Sequence, residues 1–362
     1  MKPQPLSDGL KSDIVKLWCQ ILEADNISLT DDFFLDLGGT SLKAVHLLIE
    51  LETDLGLMIP MAAFTERPTL ERLFEIAGSP ATERSSSLVP LQPRGSSIPL
   101  FFAHAESGHV LFAQELANAL GQDQPMYGLQ AQGFQVDERP LTSIPDMAVR
   151  YIGEMKNIQP QGPYRIGGFC MGALLALEMA CQLDEAGEEV SHLVVFSTDA
   201  HWMRTKRLRD HLEFHRREIG QAGLGNAARY VLSRIHFRLH RLYSSAIFCL
   251  HLMYEKRGKS LSPKLRYVCV AESNYRASWD FHPRPFNGGL FYFEGGSDRR
   301  PDPLSFWRKL ILGGIEVKTV AGYRHTIFDQ PYVDALASSL AECLSRPAST
   351  LPQGVEAVST GR

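Results

Sequence analysis

Tyr164-Arg165-Ile166-Gly167-Gly168-Phe169-Cys170-Met171-Gly172-Ala173-Leu174-Leu175-Ala176-Leu177-Glu178-Met179-Ala180 decides the fold of the larger part of the chain. An apolar run enters a Gly-x-Cys-x-Gly turn, and an apolar pattern of helical period leaves it. Strand, sharp turn and helix make a nucleophile elbow. A reactive side chain at the tip of such a turn sits on a strained backbone, so the residues two positions away must be small. Gly168 and Gly172 supply that room. The turn also sets Cys170 at a helix N-terminus, where unpaired N–H groups and the helix dipole favour a thiolate. The plainer reading is a glycine-rich connection holding a buried, inert cysteine.

Outward from this turn, short apolar runs alternate with helical patterns from residue 88 to 346. Pro99–Ala103, Met126–Leu129, His192–Phe196, Gly289–Phe293 and Ile315–Val320 read as strands, and Leu88–Gln92 as an edge strand. Phe112–Leu120, Ile144–Ile158 and Pro303–Leu312 read as helices. Such alternation gives a mainly parallel sheet covered on both faces, with its ligand site at the carboxyl ends of the strands. Cys170, Asp199 and His325 each follow a strand, in the nucleophile–acid–histidine order of α/β-hydrolases. In these roles His325 takes the Cys170 proton, or shares it as thiolate and imidazolium. Asp199 orients the imidazole and steadies its positive form. An oxyanion needs two N–H donors: the Met171 backbone, and that of Ala105 or Glu106 after the first inner strand. Asp298, after the Phe291 strand, is the other candidate acid. Taken singly, each has a plainer reading: His325 as a surface histidine, and Asp199 as a helix cap or solvated loop residue.

The first eighty residues follow a different pattern. Ile14, Leu17, Trp18, Ile21 and Leu22 mark one amphipathic helix, and Leu42, Val45, Leu48 and Ile49 a second. Pro60–Phe64 reads as a short helical turn, and Thr69–Ile76 as a last helix capped by Thr69. Ser41 begins a helix behind Gly38 and Gly39. Serine there is a preferred cap. It is also a fitting phosphate anchor, because a helix N-terminus stabilises an anion and two glycines let another protein approach.

Asp32-Phe33-Phe34-Leu35-Asp36-Leu37-Gly38-Gly39-Thr40-Ser41-Leu42 resembles the core motif of the peptidyl and aryl carrier domains of nonribosomal peptide synthetases. The resemblance implies a 4′-phosphopantetheine arm on Ser41, added by a separate phosphopantetheinyl transferase, with Asp36 and Leu42 helping to present the serine. Residues 88–346 are similar to the type I thioesterase domains that close nonribosomal peptide and polyketide assembly lines. Two departures stand out: the family usually has serine where Cys170 stands, and its aspartate ends the strand where this chain has Ser197. The expected architecture is therefore multidomain. A small all-α four-helix carrier bundle (8–78) and a flexible linker (79–87) precede an α/β-hydrolase domain (88–346). A basic, apolar-sided helical lid is expected at about 201–273, and a disordered tail at 347–362.

Of 362 residues, 44% are hydrophobic and 22% charged, with a net charge of −4, ordinary for a globular protein and unlike a nucleic-acid binder. Six scattered cysteines without a Cys-x-x-Cys pair fit a reducing cytoplasm better than a disulfide framework or a metal site. No run approaches the ~20 apolar residues of a membrane span, and no signal core opens the chain. The reading that unites these signals is release of an acyl or peptidyl chain from the Ser41 arm through a Cys170-bound intermediate, by hydrolysis or cyclisation. The alternatives are transfer to a separate amine, alcohol or thiol, and a non-catalytic carrier or docking module. Upstream synthetase modules or a separate loading enzyme would supply the chain.

Overall fold

The computed structural model describes residues 6–78, 86–136, 138–196, 235, 238–254, 261–296, 304–323, 326–346 and 355–358. Four helices come first: α1 (Asp8–Leu22), α2 (Ser41–Leu55), α3 (Met61–Glu66) and α4 (Leu70–Ala77). Ser7, Thr40 and Thr69 each accept a backbone N–H from the first turn of α1, α2 and α4, so three helix starts are closed by the residues best suited to it. Trp18, Phe33 and Phe64 are fully buried and meet edge to face, with ring centroids 5.2–5.9 Å apart. Truncating any one of them to alanine would cost about 3–5 kcal/mol. Gly39 has no choice of side chain, since a Cβ there would enter the Phe33 ring.

Among the described residues the second part forms one sheet of eight strands, numbered β1 to β8 in chain order and arranged β1-β3-β2-β4-β5-β6-β7-β8. Its strands are Leu88–Gln92, Leu100–Ala103, Met126–Leu129, Tyr164–Phe169, Val190–Phe196, Leu290–Gly295, Ile315–Val320 and Val355–Val358. All neighbours are parallel except the edge pair β1–β3. The inner strands are apolar on both faces because both faces are covered. Phe101, Ile166, Leu193 and Tyr292 pack beneath α6 (Ile144–Ile158) and α7 (Met171–Glu185). On the other side Phe102, Val194, Phe196, Phe291 and Phe293 join a core with α5 (Gln114–Ala119) and a C-terminal helix, Val333–Leu344. Two further helices, α8 (238–254) and α9 (Pro263–Asp280), lie in the section read as a lid; the C-terminal helix is thus α10.

Three expectations are corrected. Pro303–Leu312 is not a helix: its described part holds one 3-10 turn, Trp307–Lys309. Leu304, Phe306, Trp307, Leu310 and Ile311 are all buried, more than one helix face can turn inward. The Phe286 N–H then bonds the Leu310 carbonyl at 2.7 Å and draws the chain into a bridge with Ile311. The tail is not wholly disordered either, since 355–358 pairs with β7. An open parallel sheet leaves β7 with unpaired N–H and C=O groups, and the valine-bearing tail segment takes them up. Finally, the linker's end is pinned. The Ser86 hydroxyl and the Ser87 and Leu88 N–H groups all donate to the Glu154 carboxylate on α6.

Candidate functional site

Cys170 joins β4 to α7 with φ 56° and ψ −121°. This is left-handed backbone, which costs a residue with a side chain on the order of 1–3 kcal/mol. The other described non-glycine residue with positive φ is Glu23, at the C-cap of α1, where that conformation is ordinary. Close packing holds the strain at Cys170. A Cβ on Gly168 would drive into the Gly172 carbonyl, and one on Gly172 would lie 2.5 Å from the Ala103 oxygen and 2.8 Å from that of His104. The pairing of Ala103 with Gly168 sets the ends of β2 and β4 side by side.

That register brings the Met171 backbone and the Ala105–Glu106 segment, the expected oxyanion donors, to the same end of the sheet. Met171 opens α7, so its N–H has no acceptor within the helix. Ala105 and Glu106 leave β2 beside the elbow in a tight turn, closed by the Gly108 N–H on the Ala105 carbonyl at 2.9 Å. His104 fixes this turn, a role the sequence did not suggest. Burial pushes its pKa down to about 4, so the ring is neutral. A carbonyl can only accept, so Nδ1–H donates to Ala105 O at 2.7 Å, which leaves Nε2 to accept the Tyr151 hydroxyl at 2.7 Å. Burial likewise pushes His109 down to about 4 and lifts the Glu106 carboxyl, the latter opposed by the Arg241 charge. Cys181, Cys269 and Cys343 are pushed up by burial to about 11, 12 and 11, which keeps them as unreactive thiols. Asp199, Asp298 and His325 lie outside the described residues.

On the carrier bundle, Thr40 does the capping that Ser41 could have done, accepting the Lys43 N–H at 3.2 Å. Ser41 is therefore the first helical residue, with Leu42 beside it 76% exposed. Asp36 accepts the Asp32 N–H at 2.9 Å and shapes the loop before the serine. Ser41 lines a cleft of about 430 Å³ between the two parts of the chain, with Phe34 on its own side and Phe112, Gln114, Asp329 and Gln330 opposite. The Phe112 ring lies 5.9 Å from Phe169, the residue before Cys170, and both pack on Phe328. An aromatic wall thus runs from the cleft to the elbow. The cleft is where the Ser41 side chain meets the second part of the chain. Glu115, Asp329 and Asp334 line it too, so a phosphate would sit at its serine rim, by the α2 N-terminus, and not among the carboxylates.

The two parts are tied together. Arg266 on α9 meets Glu52 of α2 through contacts of 2.6 and 2.5 Å, and Lys264 meets Glu50 at 2.8 Å. Basic side chains of the section read as a lid are therefore engaged with the carrier. Arg241 of α8 also ion-pairs with Glu272, which is 1% exposed, at 2.6 Å, and lies 3.4 Å over the Tyr275 ring. The sequence alone carried no sign of these pairings.

Residues 12–76 match the phosphopantetheine attachment site family and residues 98–217 the thioesterase domain family. The chain is a carrier–thioesterase didomain. The didomain is 35% identical over 199 residues to indigoidine synthase of Dickeya dadantii, covering 55% of this chain and 13% of that one. Against malpibaldin synthetase of Mortierella alpina it is 30% identical over 334 residues, 90% of this chain and 6% of the other. It thus spans only a small part of these curated relatives. Among solved structures, the holo form of a four-domain nonribosomal peptide synthetase bound to AMP and glycine aligns with a TM-score of 0.57 at 24% identity, covering 96% of this chain and 27% of that one. The NocB thioesterase domain, in covalent complex with a fluorophosphonate nocardicin G analogue, gives 0.50 at 23% identity, over 71% and 99%. At these identities the structures support the fold. Among the didomain's described residues no helix is long and apolar enough to cross a membrane.

Proposed function

We propose that Ser41 bears the phosphopantetheine arm and that Cys170 takes an acyl or peptidyl chain from it as a second thioester, releasing it by hydrolysis or by cyclisation. The arm supplies the chain as a thioester at the end of a flexible tether. Cys170, as thiolate, attacks the thioester carbonyl carbon while His325 holds the proton. The Met171 N–H, with that of Ala105 or Glu106, takes the charge developing on the carbonyl oxygen. The carbon–sulfur bond to the arm breaks, and His325 protonates the departing thiol. In the second half, His325 removes a proton from water or from a nucleophile within the chain. That oxygen or nitrogen attacks, and the Cys170 thiolate leaves. Asp199, or Asp298 in its place, steadies the imidazolium.

The observations that carry this reading are a strained cysteine at the start of α7 and a Ser41 that faces the same part of the chain across a shared cleft, whose Phe112 packs against Phe169. Cysteine keeps the intermediate activated, because thioester exchange is nearly isoenergetic, whereas serine would hold a more stable oxyester. That favours amide or strained-ring formation over plain hydrolysis. The similarity to synthetases supports a role in nonribosomal peptide or hybrid polyketide biosynthesis. A phosphopantetheinyl transferase and upstream modules or a loading enzyme would be the partners. Mass spectrometry of the intact chain and of its proteolytic peptides after acyl-pantetheine loading tests the scheme. The acyl mass should appear on the Ser41 peptide, then on the Cys170 peptide, then in free product. An acyl mass that stays on Ser41 while the product forms would overturn it.

A further inference from the structure

Helix α9 touches both the carrier and the turn that supplies the oxyanion donors. Arg266, Val270 and Asn274 are spaced four apart, so they stack along one face, over about 12 Å of helix. At one end the buried Arg266 guanidinium holds Glu52 of the carrier. It also donates to the Phe134 carbonyl at 2.9 Å and the Leu261 carbonyl at 3.0 Å. In the middle Val270, fully buried, presses on Gly108, where a Cβ would come 2.6 Å from Val270 Cγ1. At the far end Asn274, 1% exposed, donates from Nδ2 to the Glu106 carbonyl at 3.0 Å. One rigid element thus reads the seat of the carrier and backs the Ala105–Gly108 turn.

We propose that α9 is a strut that makes the oxyanion turn depend on carrier docking, with Arg266 and Asn274 as positioning residues. If the carrier leaves, Arg266 loses its carboxylate and the cover that the carrier gave it, and keeps the Phe134 and Leu261 carbonyls alone. This end of α9 is then no longer pinned by an ion pair across the two parts, and the helix is free to shift. Val270 and Asn274 move with it, and the Ala105 and Glu106 N–H groups lose their aim at the elbow. The turn is complete when the arm is in place to deliver, and relaxed when it is away. This rests on the acyl-transfer reading of Cys170.

The test uses the full chain with Ser41 unmodified and a soluble hexanoyl-N-acetylcysteamine thioester, which needs no arm. Glu52→Gln and Asn274→Ala should each lower kcat about tenfold with KM unchanged, as expected for misplaced catalytic groups. The double variant should be no slower than Asn274→Ala, and Glu52→Asp should recover most of the rate. Hydrogen exchange gives an independent readout. The Gly108 amide should exchange about tenfold faster in Glu52→Gln, with β4 amides unchanged. An unchanged Gly108 amide, or multiplicative losses in the double variant, would overturn the strut. A Gly108 response in a chain that turns over no thioester would support the strut while removing the acyl-transfer reading.

Discussion

Two turns in this chain set a reactive group at the start of a 15-residue helix behind glycine, and they are built in opposite ways. At Gly38-Gly39-Thr40-Ser41 the neighbouring threonine closes the helix end, the flanking Leu42 stands in solvent, and Gly38 has open space around it. At Gly168-Phe169-Cys170-Met171-Gly172 the reactive residue itself takes the left-handed backbone, and both glycines press against carbonyls. A side chain to be modified by another enzyme needs presentation. The proposed nucleophile needs a fixed position, and among the described residues the strained backbone of the two turns falls on it.

The sharpest way to break this contrast is to remove each reactive atom. Cys170→Ala should lower release from the loaded arm by about 10⁴-fold or more, since a nucleophile and its base act as a unit. Ser41→Ala should instead stop modification by the transferase, read as a missing mass increment. Next comes packing. Gly168→Ala should destabilise the chain by about 3 kcal/mol in a denaturant melt, because backbone has nowhere to move. Gly38→Ala should cost only about 1 kcal/mol, from its φ of +64° in open space.

The third test is pH. Folded His104 and His109 refuse a proton that the unfolded chain accepts below about pH 6.5. Their contribution is therefore complete above that pH and is lost as the pH falls towards about 4, by something on the order of 3 kcal/mol for His104. A His104→Gln variant, less stable at pH 7, should show a flatter acid limb in its melting temperature. The smallest effect is at Leu42. Leu42→Ala should change stability by less than about 0.5 kcal/mol yet slow modification of Ser41 by the transferase, and equal rates would mean that the exposed leucine presents nothing.

Much of this was legible in the chain itself. The elbow could be read because its glycines and apolar runs are local, and the carrier because its Asp-to-Leu motif is compact. The Phe101 and Phe102 pair shows why the sheet was clear: both faces are covered, so the strand is apolar throughout. The stretch around Trp307 misled because its apolar residues answer to β6 and β7, not to a helix face. Arg266 and Glu52, 214 residues apart, carried no local sign of each other. The same is true of Asn274 and the Glu106 carbonyl, since a backbone acceptor leaves no mark on sequence.

The hold of Glu154 on Ser86, Ser87 and Leu88 has a consequence for traffic between modules. It moves the mooring point of the bundle to residue 86, leaving eight residue steps back to Gly78. Even drawn taut, that leash reaches only about 28 Å. A carrier released from Arg266 would therefore keep its last helix close to the thioesterase domain, so that return to α9 is a short search.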